Sequence, residues 1–373
     1  MRLRHLLLPL LMGACAGQLP PPPASSSSVP EKQVVVGNTS SAISATSAPP
    51  RIQLRHRGTN LSGGEFGVAI PGVYGRDYLY PGPPEVDYFL ARGMNHFRIP
   101  FRHERLQRRV KGPLDEEEWQ RLLALVTYAT SKGASVTIEP HNSARFGEAL
   151  LLETEFGDFW GRVAIRLKTH AAADRIFLNL TNEPHDIPTE RWVALANAAL
   201  KEIRRVGFEG LVLTPGNAWT GAGHWASDWY GTPNSKALLA VVAPKSNSAF
   251  EAHLYLDKDA SGAGDCLSEA IGVERLTVFV DWLRANKRLG FLGELGAPNT
   301  PTCQKAIART LAYVEETAYD VLLGWAWWSA GVWTFATTYP LSIGPTKAGE
   351  PDKPQMRWLM EWLKPCSTNP RGS

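Results

Sequence analysis

Cysteine is scarce in this chain, with four in 373 residues, and no Cys or His spacing resembles a zinc site. No zinc site is therefore expected from the residues. An excess of one charge is also missing. Lys and Arg number 39 against 36 Asp and Glu, a net charge of +3, which is too mild to argue for a nucleic-acid partner. The apolar run at residues 6–12 falls far short of the roughly 20 residues a membrane helix needs. A Gly-rich phosphate turn after an early strand is absent too, since Leu61-Ser62-Gly63-Gly64-Glu65 is not that motif. This counts against an open, doubly wound nucleotide-binding sheet. Tryptophan, by contrast, is plentiful at 13. Most indoles fill cores, but a Trp-rich cleft is also what a polysaccharide needs for stacking its C–H faces.

The N-terminus reads as an export signal. Arg2, Arg4 and His5 precede the short apolar run, and Leu11-Met12-Gly13-Ala14-Cys15 follows. Small residues before a Cys resemble a bacterial lipoprotein signal, although Met12 stands where an aliphatic residue is usual. Lipidation of Cys15, with a membrane link during export, and ordinary secretion both stay open. Residues 16–50 are rich in Pro, Ser and Ala and cannot bury enough apolar surface to fold, so they read as a linker or pro-segment with no binding module before them. In an oxidising compartment Cys266 and Cys303, expected in neighbouring loops, can pair. Cys366 has no assigned partner.

From residue 51 to 373 a different rhythm holds. Eight short apolar runs alternate with helical patterns: 61–67, 94–101, 134–142, 176–184, 211–217, 249–256, 290–296 and 321–329. Acids at Glu116–Glu118 suit a helix first turn. Thr189 opens another helix, and Leu276, Val280 and Leu283 recur at helical spacing. Eight strand–helix units predict an α/β fold, a (β/α)8 TIM barrel forming one catalytic domain.

In a barrel, polar residues at the C-terminal strand ends converge on one face. Glu183 and Glu294 each end an apolar run, where a carboxylate is costly unless something uses it. Two such carboxylates fit glycosidic bond cleavage. Glu183 reads as the acid/base, needing a raised pKa, and Glu294 as the nucleophile. Arg98 and Tyr255 would keep Glu294 ionised. His253 lies two residues from Tyr255, on the same strand face, and would brace the acid. His141 can brace a carboxylate or donate to a sugar, with Asn142 beside it. Asn182 would bond the sugar 2-hydroxyl, and Gly293 would leave room for substrate. Trp327 and Trp328 face opposite ways by strand alternation. Trp328 is taken as the sugar floor, leaving Trp325 and Trp327 to packing. Trp219 and Glu65 are further substrate contacts. His224, Trp225 and Trp229 sit in a loop that would extend the cleft or merely pack.

Taken together, FRIPF around Arg98, PHN at His141, NEP at Glu183, HLYLD at His253 and Tyr255, GELG at Glu294 and GWAWWSAG around Trp328 make the chain resemble glycoside hydrolase family 5. The likeness is closest to its endo-β-1,4-glucanase (cellulase) members and runs from about Gly58 to Trp362. The resemblance implies a retaining double displacement on a β-glucan, without metal or organic cofactor. It also supports a Cys266–Cys303 disulfide, and the exported chain is expected to be a monomer. Mannan, xyloglucan and mixed-linkage glucan remain alternative substrates on the same barrel, because one altered hydroxyl contact is worth only a few kcal/mol. An inactive carbohydrate-binding barrel is the rival from another class. If Cys15 carries a lipid, metabolic palmitate label is lost in Cys15→Ala; label that persists in the variant excludes that residue.

Overall fold

The computed structural model describes residues 55–332 and 339–363. The leader with Cys15, the 16–50 segment and Cys366 lie outside them. Eight parallel strands close into a barrel: β1 (His56–Ser62), β2 (His96–Phe101), β3 (Ser135–Pro140), β4 (Ile176–Asn179), β5 (Val212–Pro215), β6 (Ser248–Tyr255), β7 (Gly290–Gly296) and β8 (Leu322–Gly331). Every strand pairs with its neighbours in sequence, and β1 closes on β8. This is the expected (β/α)8 architecture.

The alternation of side chains sorts the barrel into two compartments. On β2, Phe97, Ile99 and Phe101 are fully buried in the outer core beneath the helices. His96 and Arg98, out of phase with them, face the barrel axis. Outer core residues on other strands include Leu178, Leu254, Leu292 and Trp325. A small inner cluster, Phe177, Leu213, Ala249, Phe291 and Ala326, fills the floor of the barrel. Above that floor the inward positions turn polar, and that polar layer carries the site.

The helices follow from local chemistry. Asp115 caps the helix Glu116–Ser131 by accepting the Glu118 N–H at 3.0 Å. That helix buries Trp119, Leu122, Leu125, Val126 and Ala129 along one face. Thr189–Arg205 begins where Thr189 was expected to start it. Ile271–Ala285 buries Leu276, Val280 and Leu283.

Two boundaries differ most from the sequence reading. The first strand is His56–Ser62 rather than 61–67. Its polar residues concealed it, because their partners are buried: Arg57 Nε donates to Glu315 at 2.7 Å, and Asn60 accepts from Arg98 at 2.8 Å. Glu65 therefore lies in the loop beyond the strand. The fourth strand ends at Asn179, four residues before Glu183.

Cys266 and Cys303 are joined, with Cα atoms 5.2 Å apart. Cys303 belongs to the first turn of helix Pro301–Glu316, not to a loop as expected, because Thr300 caps that turn and accepts the Cys303 N–H at 3.2 Å. The bridge spans a sequence separation of 37. Replacing both cysteines by serine is expected to lower unfolding stability by about 2–4 kcal/mol, read from the urea midpoint. An unchanged midpoint would mean the bridge constrains little.

Candidate active site

The site is built on Arg98. Its guanidinium is fully buried and bridges five side chains. Nη1 donates to Asn60 Oδ1 at 2.8 Å, Glu139 Oε1 at 3.0 Å and Glu294 Oε1 at 3.1 Å. Nη2 donates to Asn182 Oδ1 at 2.8 Å and Glu251 Oε1 at 3.1 Å. Strands β1, β2, β3, β6 and β7 and the loop after β4 are thus joined through one planar group.

Glu294 reaches the axis through a kink. Ala252 pairs with Leu292, but His253 pairs with Glu294, so β7 carries one extra residue between them. Phe291 lies in the inner cluster, yet Leu295 lies in the outer core; the bulge turns Glu294 inward between them. Gly293 is required here for a reason other than substrate access. A Cβ at Gly293 would meet Glu251 Oε1 at 2.2 Å; the space it leaves belongs to that buried carboxylate.

Glu183 sits past the end of β4 in a left-handed conformation with φ 40°. Such a backbone is costly for a residue other than glycine and is held by its surroundings. Asn182 N–H donates to Pro140 O at 3.0 Å, and Trp219 N–H to Pro184 O at 3.2 Å. These bonds clamp the Asn182–Pro184 stretch between the ends of β3 and β5.

His253 joins the two candidate glutamates. Its Nδ1 lies 2.7 Å from Glu183 Oε1 and 3.4 Å from Glu294 Oε2, and its Nε2 lies 2.8 Å from Glu251 Oε1. One oxygen of Glu183, one of Glu294 and a nitrogen of His253 all fall within 4.8 Å of one another. The Tyr255 hydroxyl donates to Glu294 Oε2. His141 Nδ1 is 2.8 Å from Glu139 Oε1, and its Nε2 meets Asn182 Nδ2 at 3.2 Å. The half-buried Trp328 lies parallel to the His141 ring, at 5.5 Å and 14°. Trp325 and Trp327 are buried in the outer core, as alternation requires.

The family model for cellulase (glycosyl hydrolase family 5) matches residues 57–331. The chain belongs to this family. Endo-beta-1,4-glucanase B of Aspergillus niger is 37% identical over 279 residues, which is 74% of this chain and 81% of that protein. The crystal structure of an endo-beta-1,4-glucanase from Xanthomonas axonopodis pv. citri superposes with a TM-score of 0.79 at 39% identity, covering 83% of this chain and 98% of that one. XacCel5A, solved in complex with cellopentaose, gives the same TM-score of 0.79 and 39% identity, with 83% and 99% covered.

Electrostatics in this family 5 hydrolase centre on an excess of acid. Glu139, Glu183, Glu251 and Glu294 face Arg98, His253 and His141. Burial opposes a charged His253, but Glu294, Glu183 and Glu251 together raise its pKa to about 10. It is an imidazolium at neutral pH, donating from both nitrogens. Burial likewise opposes charge on His141, and Glu139 raises it. Burial pushes Glu183 up, yet the His253 hydrogen bond and charge outweigh that and hold it below the ordinary range. This corrects the expected raised value, in which His253 braced Glu183 but was not counted as a cation. Glu294 is raised, chiefly by burial, against the pull of His253 and Arg98. Four carboxylates outnumber the two cations Arg98 and His253, while His141 accepts the Asn182 amide at Nε2, so negative charge is left unmatched. Holding a single proton within the Glu183–Glu294 pair relieves it.

The remaining candidates divide. Asn182 is bonded at both ends of its amide, to Arg98 and His141. Asn142 instead closes the turn after β3, donating to the Arg145 carbonyl. Trp219 is half-buried on the loop after β5 and stacks on His185 at 4.9 Å and 8°. Glu65 is nearly buried with Oε2 on the Gly63 N–H at 2.7 Å, and burial raises its pKa to about 7. Trp225 is not a cleft residue. It is fully buried against Phe279 and Trp282 at 4.5 and 5.3 Å. Its loop turns under the barrel wall, so the apolar ring follows the hydrophobic effect inward. Sequence reasoning missed Glu139, Glu251 and Asn60. The available signal was phase: Glu251, His253 and Tyr255 alternate along β6, and a buried Arg98 demands counter-charges.

By type, Glu183, His253 and Glu294 also match a metal-ligand group. An imidazolium has no lone pair to give, and both His253 nitrogens are engaged with carboxylates. In the second such group, Asp265, Cys266 and Cys303, both sulfurs are committed to the disulfide.

A raised His253 pKa stabilises the folded state fully below pH 6.5 and is lost as pH climbs to about 10. Melting temperature should fall across this window in wild type and fall less steeply in His253→Asn. Parallel profiles would show that His253 is not charged in the fold.

Proposed function

We propose that the chain is a retaining endo-β-1,4-glucanase, with Glu294 as nucleophile and Glu183 as acid/base. The observation that carries this reading is the approach of Glu183 and Glu294 oxygens to within 4.8 Å. Retaining pairs stand about 5–5.5 Å apart, whereas inverting pairs keep about 6.5–9.5 Å to admit a water.

In the first step a Glu294 oxygen forms a bond to the anomeric carbon as the glycosidic C–O bond breaks. Glu183 gives its proton to the leaving oxygen. In the second, water attacks the anomeric carbon of the glycosyl-enzyme, its proton passes to Glu183, and the ester bond to Glu294 breaks. Arg98 and Tyr255 donate to Glu294, which favours its departure as a carboxylate. The chemistry needs the pair's proton on Glu183 at the moment of attack. The His253 imidazolium lies 2.7 Å from Glu183, close enough to exchange it. Trp328 supplies the floor under the cleaved sugar, and Trp219, on the loop after β5, a second stacking surface.

β-1,4-Glucan is favoured because the relatives are named endo-β-1,4-glucanases and one was solved with cellopentaose. We read the protein as exported: the N-terminal leader and a disulfide both fit an oxidising compartment.

Reducing-sugar release by wild type and Glu294→Ala on carboxymethylcellulose, lichenan, xyloglucan, glucomannan, mannan and xylan tests this. Strong release from carboxymethylcellulose by wild type, lowered by at least about a thousandfold in the variant, is expected. Release mainly from mannan or xyloglucan would keep the mechanism and replace the substrate. No release from any would remove the enzymatic reading.

A further inference from the structure

We propose that Tyr339 is a positioning residue for Trp328, the sugar floor; the role rests on the hydrolase reading above. After β8, the chain at residues 339–343 lies back along the strand it came from. Three bonds hold it there. Trp328 Nε1–H donates to the Tyr339 hydroxyl oxygen at 2.9 Å. Trp327 Nε1–H donates to Leu341 O at 2.7 Å. Ile343 N–H donates to Ser329 O at 3.1 Å. Two adjacent indoles that face opposite sides of β8 thus grip one five-residue segment, one from the cleft and one from the outer core.

The segment also rests on the end of the nucleophile strand. A Cβ at Gly296 would meet Trp328 O at 2.7 Å, the Leu341 side chain at 3.1 Å and the Tyr255 ring at 3.3 Å. The floor, the returning segment and the strand of Glu294 are therefore packed as one body. Burial is the main cause raising the Tyr339 pKa, and the charges of Glu294 and Glu183 add to it. Tyr339 remains a phenol, and its oxygen can accept from the indole at every working pH. This bond sets the rotation of Trp328, which lies within 14° of the His141 plane. A stacking surface held at one angle loses no rotamer entropy when a sugar lands on it.

The experiment is a double-mutant cycle on the full chain: Tyr339→Phe, Trp328→Phe and the pair, with cellopentaose hydrolysis and thermal melts. Tyr339→Phe keeps the ring and removes only the acceptor. It should lower kcat/KM by roughly 3- to 30-fold, the loss of one partly buried hydrogen bond, with the melting temperature near that of wild type. In the Trp328→Phe background, which has no indole N–H, the same change should add almost nothing. Where turnover is too slow, calorimetric binding of cellopentaose in a Glu294→Ala background gives the same cycle. Wild-type kinetics in Tyr339→Phe, or an equal loss in both backgrounds, would overturn the proposal. Wild type that leaves cellopentaose intact would overturn the underlying hydrolase reading instead, whatever the variants show.

Discussion

One buried cation organises this protein. Arg98 is fully buried, and removing one partner of such a buried charge network typically costs about 3–5 kcal/mol. Its side chain is tolerable only because Glu139, Glu251 and Glu294 surround it at 3.0 to 3.1 Å and two asparagines complete the ring. The demand runs the other way too. Those carboxylates could not be buried together without it. Arg98 therefore fixes where the acids sit, and the acids fix the barrel's upper layer.

The remaining charge balance explains why this layer can do acid–base chemistry. Arg98 and His253 do not neutralise four glutamates. A proton retained within the Glu183–Glu294 pair is the cheapest relief, and in the proposed mechanism it is the proton that glycosidic cleavage consumes and recovers. Structural satisfaction and reactivity are the same arrangement seen twice. The β7 bulge belongs to it as well. Gly293 yields its side-chain space to Glu251, and the extra residue swings Glu294 onto the axis beside His253.

Much of this was legible in residue order. Strong apolar runs marked β2, β6, β7 and β8, because their outward faces are pure hydrophobic core. The strand-end residues Arg98, His141, Glu183, His253, Tyr255, Glu294 and Trp328 were legible because charged or aromatic side chains stand out against such runs. β1 was misplaced because His56, Arg57 and Asn60 make it look polar, their partners being hidden in distant elements. Trp225 stayed open between cleft and packing because an indole in a Gly-rich stretch carries no local sign of which way it turns. Glu139 and Glu251 looked like ordinary strand acids, since only closure of the barrel reveals that they surround a guanidinium.

The sequence by itself determined the alternation of eight strands and helices, the two glutamates at or just beyond the ends of apolar runs and the residue types around them, because periodicity and position relative to an apolar run are local properties. Tertiary structure alone decided the distance between Glu183 and Glu294, the imidazolium that links them, the direction of each acid's pKa and the anchoring of Trp328 by Tyr339. Each of these depends on groups tens to hundreds of residues apart in the chain. Their separation is set by how the barrel closes, and electrostatic and hydrogen-bond energies vary steeply over that last few ångströms.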